Sequence, residues 1–245
     1  MTSQAKSGTG IYVVYNGTVY AELTDVNDPP FTVGKADATS HDSTYEVSIP
    51  SIGKFGDLTF KAFFVNDTAQ AALRVLAVAK TVGVWQVVYP SAFSFLTYSC
   101  PGFVSSLKHT TPQKGELATY EISITPTEAV TEITTTGNPL TGAIFVVTDE
   151  DSQTPTITPT VSGTTYVYDC TMLQAVTASY TITPTAAAGT IYVNGTIVSS
   201  GAASSAIGYT LANFPTGSVK TDFIVVTGTG KVPIIYRLRL TRGTA

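Results

Sequence analysis

Residues 39–80 read TSHDSTYEVSIPSIGKFGDLTFKAFFVNDTAQAALRVLAVAK, and they hold the one convincing helical pattern of the chain. From Gly56 to Val65 the side chains alternate between core-type and outward positions, which is typical of a strand with one buried face. The segment Asn66-Asp67-Thr68 then offers N-cap residues for a helix over residues 69–79. Because a three-turn helix is marginal on its own, we expect it to dock on a sheet through its Ala, Leu and Val side chains.

The rest of the first half is predicted to be strand and loop. The dipeptide Asn16-Gly17 predicts a tight hairpin near the N-terminus, and residues 24–52, rich in Asp, Pro, Gly and Ser, predict a long loop. Further strands are predicted over residues 84–89, 92–99, 102–108 and 118–125. In the last of these, Tyr120, Ile122 and Ile124 take one face. We expect the opposite face, with Thr119, Glu121 and Ser123, to meet water or a lumen.

A change of composition near Thr131 predicts a domain boundary. The segment 131–138 contains Gly and Pro without a buried pattern, so it is predicted to link a domain over residues 1–130 to one over residues 139–245. The second part predicts seven short strands and no helix, the signature of a β-sandwich. These strands cover residues 143–148, 165–170, 178–184, 190–193, 207–211, 220–227 and 234–241. The whole chain is therefore predicted to be mainly β.

Composition excludes several classes of function. The 245 residues carry a net charge of -4 and only 12% charged side chains, which argues against a protein that grips nucleic-acid phosphates. Cys100 and Cys170 are expected to be free, buried thiols, with a single disulfide as the alternative. No signal peptide is expected at the N-terminus, and no apolar stretch predicts insertion into a membrane.

The first half contains three segments in a fixed order, SHDSTYEVSIPSIGKFGDLTF (40–60), NDTAQAALRVLAVAKTVGVWQVVYP (66–90) and CPGFVSSLKHTTPQKGELATYEISI (100–124). In their order and spacing it resembles the major tail-tube proteins of long, non-contractile-tailed phages. The second half is similar to cadherin-like and bacterial immunoglobulin-like sandwiches in the segments TTYVYDC (164–170), ASYTITPTAAAGTIYVNGTIVSSG (178–201) and IIYRLRLTR (234–242).

This resemblance implies a tail-tube β-sandwich or barrel with one packed helix, followed by an immunoglobulin-like domain. It implies a virion protein, made in the host cytoplasm, that forms stacked six-membered rings as a conduit for DNA ejection. DNA would pass without specific binding, and the tail tip, terminator and tape-measure proteins would be partners. The loop would bridge neighbouring copies through Thr39, His41, Asp42, Ser43, Tyr45 and Glu46. The outer domain would bind host-surface glycans weakly or stabilise the tube.

Other interpretations remain open at this point. His41 and His109 are the only histidines, and neither has a partner at metal-ligand spacing. The run Asp149-Glu150-Asp151 lacks the spaced ligands and turn glycine of a calcium loop. We therefore predict no catalytic, cofactor-binding or metal-binding residues. The main alternative is a monomeric adhesin or carbohydrate-binding protein, and an enzyme with an accessory module is a third hypothesis.

Overall fold

The structure, a computed structural model, describes residues 11–20, 23–27, 30–37, 48–63, 68–89, 97–110, 118–149, 152, 154–159, 166–172, 179–208 and 214–243. Within these residues the chain forms nineteen strands, one helix and four sheets. The predicted mainly β fold class is confirmed.

Two compact units make up the chain. The first comprises Met1–Val13, Tyr20–Val87 and Tyr98–Glu132, and the second comprises Val14–Val19, Val88–Thr97 and Ile133–Ala245. The domain bounds predicted from the sequence, with a linker over residues 131–138, stay a prediction.

The first part of the chain forms ten strands and one helix. Their bounds are β1 Tyr12–Tyr15, β2 Thr18–Tyr20, β3 Leu23–Asn27, β4 Phe31–Asp37, β5 Ser48–Phe55, β6 Leu58–Phe63, α1 Thr68–Ala79, β7 Gly83–Val88, β8 Thr97–Thr110, β9 Thr119–Pro126 and β10 Thr131–Ile133. An eight-stranded sheet has the order β2-β1-β7-β8-β9-β6-β3, with β10 paired to β8, while β4 and β5 form a separate two-stranded sheet.

Strands β6 and β9 build much of the core of the first unit. They pair antiparallel, with Phe60 opposite Ile122 and Ala62 opposite Tyr120, and all four side chains are buried. The ring of Phe60 also lies 6.2 Å from that of the fully buried Trp85. The alternation predicted for both strands is confirmed, because residues two apart on a strand share a face.

Helix α1 packs mainly through Leu73, which is fully buried. The predicted helix is confirmed, but the prediction that its valines share the docked face is wrong, since Val75 and Val78 are 68% and 80% exposed. The helix ends in a Schellman arrangement: the Lys80 N–H donates to the Ala77 carbonyl and the Thr81 N–H donates to that of Leu76. Lys80 itself has φ of 50°, a left-handed conformation that glycine usually takes.

Two predictions for the first half are wrong. The segment predicted as one long loop, residues 24–52, contains most of β3, all of β4 and the first part of β5. Its many Asp, Pro and Gly residues indicated a loop, although Phe31 and Val33 alternate with the polar Thr32 as in a strand. The predicted break between residues 99 and 102 is also absent, because β8 runs unbroken through Pro101. Pairing of β8 with β9 begins at Gly102, so that pairing requires no N–H from the proline.

The second unit holds the strands β11 Leu140–Asp149, β12 Ile157–Pro159, β13 Val167–Met172, β14 Ser179–Ala186, β15 Thr190–Val193, β16 Thr196–Val198, β17 Ile207–Gly208, β18 Val219–Gly228 and β19 Lys231–Arg242. They form a three-stranded sheet, β11-β14-β17, and a six-stranded sheet, β12-β13-β19-β18-β15-β16. Side chains of both sheets share one core, which includes Phe145, Ile182, Ile224 and Leu238. All seven predicted strand regions contain strand, and β12 and β16 are the two strands of this unit that lie outside those regions.

Candidate assembly surface

The strands β4 and β5 form an antiparallel ribbon with one apolar face. Phe31 lies opposite Phe55 and Val33 opposite Gly53, while Thr32 and Lys54 pair between them and point the other way. The apolar face of the ribbon is defined here by Phe31, Val33 and Phe55. The ribbon is therefore amphipathic where residues 31–33 pair with residues 53–55.

Close packing holds the base of this ribbon together. The rings of Phe31 and Phe55 have centroids 4.9 Å apart. A Cβ atom on Gly53 would lie 2.6 Å from Cζ of Phe31, so only glycine allows the ring to lie across the facing strand. The Gly56 N–H donates a hydrogen bond of 2.7 Å to the Pro30 carbonyl and closes the ribbon.

The apolar face of the ribbon remains open to solvent. Phe31 is 58% exposed and Val33 is 49% exposed. Among the residues that the structure describes, no third strand pairs with β4 or β5. A two-stranded ribbon is marginally stable in water and gains stability when a further surface covers its apolar side. This ribbon is thus suited to docking.

Exposed valines lie on helix α1 and shortly after its end. Val75, Val78 and Val82 are 68%, 80% and 56% exposed, and we call these three residues the valine stripe. Val75 and Val78 are three residues apart and therefore neighbours on the helix surface. The ribbon and the valine stripe are two different apolar surfaces of the first unit. Most of the ribbon lies in the segment predicted to be an assembly loop, residues 24–52, whereas the valines of α1 were predicted to be docked.

The face of the eight-stranded sheet opposite the core is mainly polar, apart from Phe63 and Phe103, and its charges alternate. Asp25 pairs with Lys61, Lys61 with Glu121, and Glu121 with Lys108, so one row of four strands reads minus, plus, minus, plus. The Lys61 Nζ lies 3.7 Å from a Glu121 carboxylate oxygen. The repulsion of phosphates expected from Glu121 is therefore offset by the lysines on either side of it.

The predicted lumen-facing residues lie together on this polar face. Thr119, Glu121 and Ser123 are all half-buried and point away from the core residues Tyr120 and Ile122. The predicted assembly-loop residues lie outside the described part of the chain, and these are Thr39, His41, Asp42, Ser43, Tyr45 and Glu46.

Neither histidine nor the acidic run gives a chemical centre in the part of the chain that is described. His109 is exposed on β8 and has its ring 6.4 Å from that of Tyr120. Asp149 is buried, whereas Glu150 and Asp151 lie outside the described residues. No group of three His, Cys, Asp or Glu side chains within the described ranges could hold a metal ion.

Both cysteines are free and buried. Burial raises the pKa of each thiol to about 11, and the carboxylate of Asp57 contributes to the shift at Cys100. The thiolate is the reactive form of cysteine, so these thiols are poor nucleophiles near neutral pH. Separately, none of the helical segments described here is both long and apolar enough to cross a membrane.

Comparison with protein-family profiles gives no match. Comparison with curated proteins gives no match either.

Among solved structures, the chain is similar to a chain of the tail of an empty gene transfer agent particle. The identity is 17%, 53% of this chain and 98% of that chain are covered, and the TM-score is 0.42. A chain from the virion of the native gene transfer agent particle matches at 16% identity over 50% of this chain and 94% of that chain, also with a TM-score of 0.42. A chain of an extracellular contractile injection system, described as a sheath/tube terminator in the extended state, matches at 10% identity over 50% of this chain and 91% of that chain, with the same TM-score of 0.42. Likenesses of this extent do not decide the function of the chain.

Proposed function

We propose that this chain is a structural protein of a phage tail tube, which associates with copies of itself into stacked six-membered rings. The observation that supports this most directly is the apolar face of the β4–β5 ribbon, exposed at Phe31 and Val33. An amphipathic ribbon with an uncovered apolar side is stabilised by docking on another surface. A second copy of the chain is the occupant that we propose.

The presence of two different apolar surfaces favours a head-to-tail contact. If the ribbon of one copy covers a surface such as the valine stripe of the next, the same contact can repeat indefinitely. Contacts of this heterologous kind generate closed rings or open filaments, and do not stop at a dimer. A tube of stacked rings combines the two, because each ring is closed and the stack of rings can grow like a filament.

The polar face of the eight-stranded sheet is the surface that we propose lines the lumen, through Thr119, Glu121 and Ser123. Its row of alternating charges sums to zero, so it offers neither a basic patch to hold phosphates nor a strong barrier against them. Such a lining would let DNA pass without specific binding. The protein would then be a virion component without enzymatic activity.

The second unit would stand on the outside of the tube, where an immunoglobulin-like sandwich could bind host-surface glycans weakly or stabilise the assembly. The tail tip, terminator and tape-measure proteins would complete the set of partners. These roles follow from the sequence resemblance. The tail partners and the stabilising role fail if the chain does not assemble, whereas glycan binding by the second unit does not depend on assembly.

Sedimentation velocity of the full chain over a wide concentration range tests the proposal. We expect the wild-type protein to convert from a small species into rings or longer assemblies as the concentration rises. The double variant Val75→Ser/Val78→Ser should shift this conversion to higher concentration if the valine stripe is the docking surface. Ile197→Ser is the control, since Ile197 is an exposed side chain of the second unit. A wild-type chain that stays monomeric throughout would favour the monomeric adhesin instead.

A further inference from the structure

Two arginines lie side by side on the face of the six-stranded sheet that is turned away from the sandwich core. On β19, Tyr236, Leu238 and Leu240 point into the core, so Arg237 and Arg239 point to the opposite face. This face is buried at Ile235 and its cross-strand partner Val225, and it is more open at the arginines.

The neighbours of the two arginines differ. Val167 and Phe223 lie on the strands either side of Arg237, and both are uncharged. Asp169 lies beside Arg239, whose Nε is 3.4 Å from a carboxylate oxygen of Asp169, and both side chains are 40% exposed. The one acidic side chain among these neighbours is therefore already paired with Arg239.

Arg237 has no such partner. The side chain is half-buried and its Nε is fully buried, yet this nitrogen makes no hydrogen bond. Among the described residues, no carboxylate forms an ion pair with Arg237. A buried N–H donor without a hydrogen-bond partner destabilises the folded state. The rest of the guanidinium group is not fully buried, so a negatively charged group from outside the chain can approach Arg237 there.

We propose that Arg237 and Arg239 form a site for an acidic saccharide, and that they bind its carboxylate or sulfate group. Outward residues two apart on a strand begin about 7 Å from one another, so two long guanidinium side chains can reach one oxyanion. The proposal specifies the ligand of the surface-binding role given above to the second unit, and rests on that role. It does not depend on assembly into a tube.

The surroundings favour a saccharide over a nucleic acid. Phe223 lies directly across from Arg237, so the border of the site is apolar as well as charged. Two cations in a chain of net charge -4 are too few to hold the closely spaced phosphates of a nucleic acid. Arginine is also the side chain best matched to planar oxyanions, since its donors form a rigid fork.

Calorimetric titration of the full chain tests the site. To keep assembly from interfering, every protein in the test carries the Phe31→Ala substitution. The probes are a tetramer of galacturonic acid, a sulfated tetrasaccharide, neutral maltotetraose, and a tetraglutamate peptide. We expect one or both acidic saccharides to bind and the neutral one not to bind, and the comparison between the two distinguishes carboxylate from sulfate recognition. Binding of tetraglutamate as tight as that of the saccharides would overturn the saccharide proposal in favour of an acidic protein partner.

Substitutions identify the residues responsible. Arg237→Met keeps the apolar stem but removes the charge, and we expect it to weaken saccharide binding about tenfold to a hundredfold, the range for a lost hydrogen bond to a charged group. Arg239→Gln should weaken binding as well. Arg74→Gln removes one exposed arginine of helix α1 and should leave binding unchanged.

Thermal unfolding provides a readout that a purely structural arginine would not give. Without a ligand, Arg237→Met should leave the melting temperature unchanged or raise it, because it removes a buried Nε that makes no hydrogen bond. With ligand, the melting temperature of the parent protein should rise and that of Arg237→Met should not. Equal binding by the parent and Arg237→Met, or absence of binding by the parent, would refute the site. Neither result would affect the tube proposal, which is tested by the sedimentation of the wild-type chain.

Discussion

Replacement of Phe31 by alanine removes the largest exposed side chain of the ribbon's apolar face. A phenylalanine buries roughly 150–250 Å² when it is fully covered. Phe31 is 58% exposed in the single chain, so about 100 Å² remains to be buried by a partner. At about 25 cal/mol per Å² this area contributes about 2.5 kcal/mol to each contact. We therefore expect Phe31→Ala to weaken association roughly 50-fold.

The critical concentration for assembly, followed by light scattering and by pelleting, measures this effect directly. Thr32→Ala is the matched control, because Thr32 lies on the same strand but on the polar face of the ribbon. It should leave the critical concentration nearly unchanged. Thermal unfolding of dilute Phe31→Ala separates loss of association from loss of the contact between Phe31 and Phe55 within the chain.

Two results would contradict this expectation. Assembly of Phe31→Ala at the same concentration as the wild-type protein would mean that no partner covers the ribbon. An equal rise in critical concentration for Thr32→Ala and Phe31→Ala would mean that the ribbon acts through its general stability and not through its apolar face.

Three further predictions follow from other parts of the molecule. Lys80→Gly should stabilise the chain by about 1 kcal/mol in urea unfolding, since it relieves a left-handed lysine, whereas a destabilised variant would contradict the proposed helix end. Glu121→Lys should make assembled tubes retain DNA in a co-pelleting assay because it turns the charge row largely positive, and Glu132→Lys, at an exposed site of β10, should not; equal retention by both variants would exclude a lumenal Glu121. The raised thiol pKa values keep Cys100 and Cys170 protonated in the folded chain while the unfolded chain loses these protons from pH 9 upward, so the free energy of unfolding should fall between pH 9 and 11. Cys170→Ala should reduce that fall, and an equal fall in this variant would show that Cys170 does not contribute.

The parts of the fold that the sequence predicted well are those where one strong periodicity acts alone. Strand β9 alternates without interruption, so the face shared by Thr119, Glu121 and Ser123 could be assigned before the structure was known. The N-cap region and the helical spacing placed α1 within one residue of its observed start. Local chemistry was sufficient in both cases.

Predictions failed where the burial of a side chain depends on a surface that is distant in the sequence. The valines of α1 look like core residues in the sequence, and an exposed valine is indistinguishable from a buried one unless the partner surface is known. The ribbon was hidden because Asp, Pro and Gly residues dominate residues 24–52, although Phe31 and Val33 were a signal of alternation.

The pairing of the two arginines also depends on contacts between residues far apart in the sequence. The segment IIYRLRL predicts that Arg237 and Arg239 share a face, because charged and apolar residues alternate there. The sequence does not reveal that Asp169 pairs with Arg239 and leaves Arg237 without a partner, since that depends on the parallel register of β13 and β19. Such long-range pairing had to be read from the structure.

Negative-stain electron microscopy of the purified wild-type chain, at low and at high concentration, tests the central claim most directly. We expect hollow rings or tubes with six-fold symmetry at high concentration, bearing small outward projections from the second unit. Separate small particles at every concentration, after prolonged incubation, would contradict it.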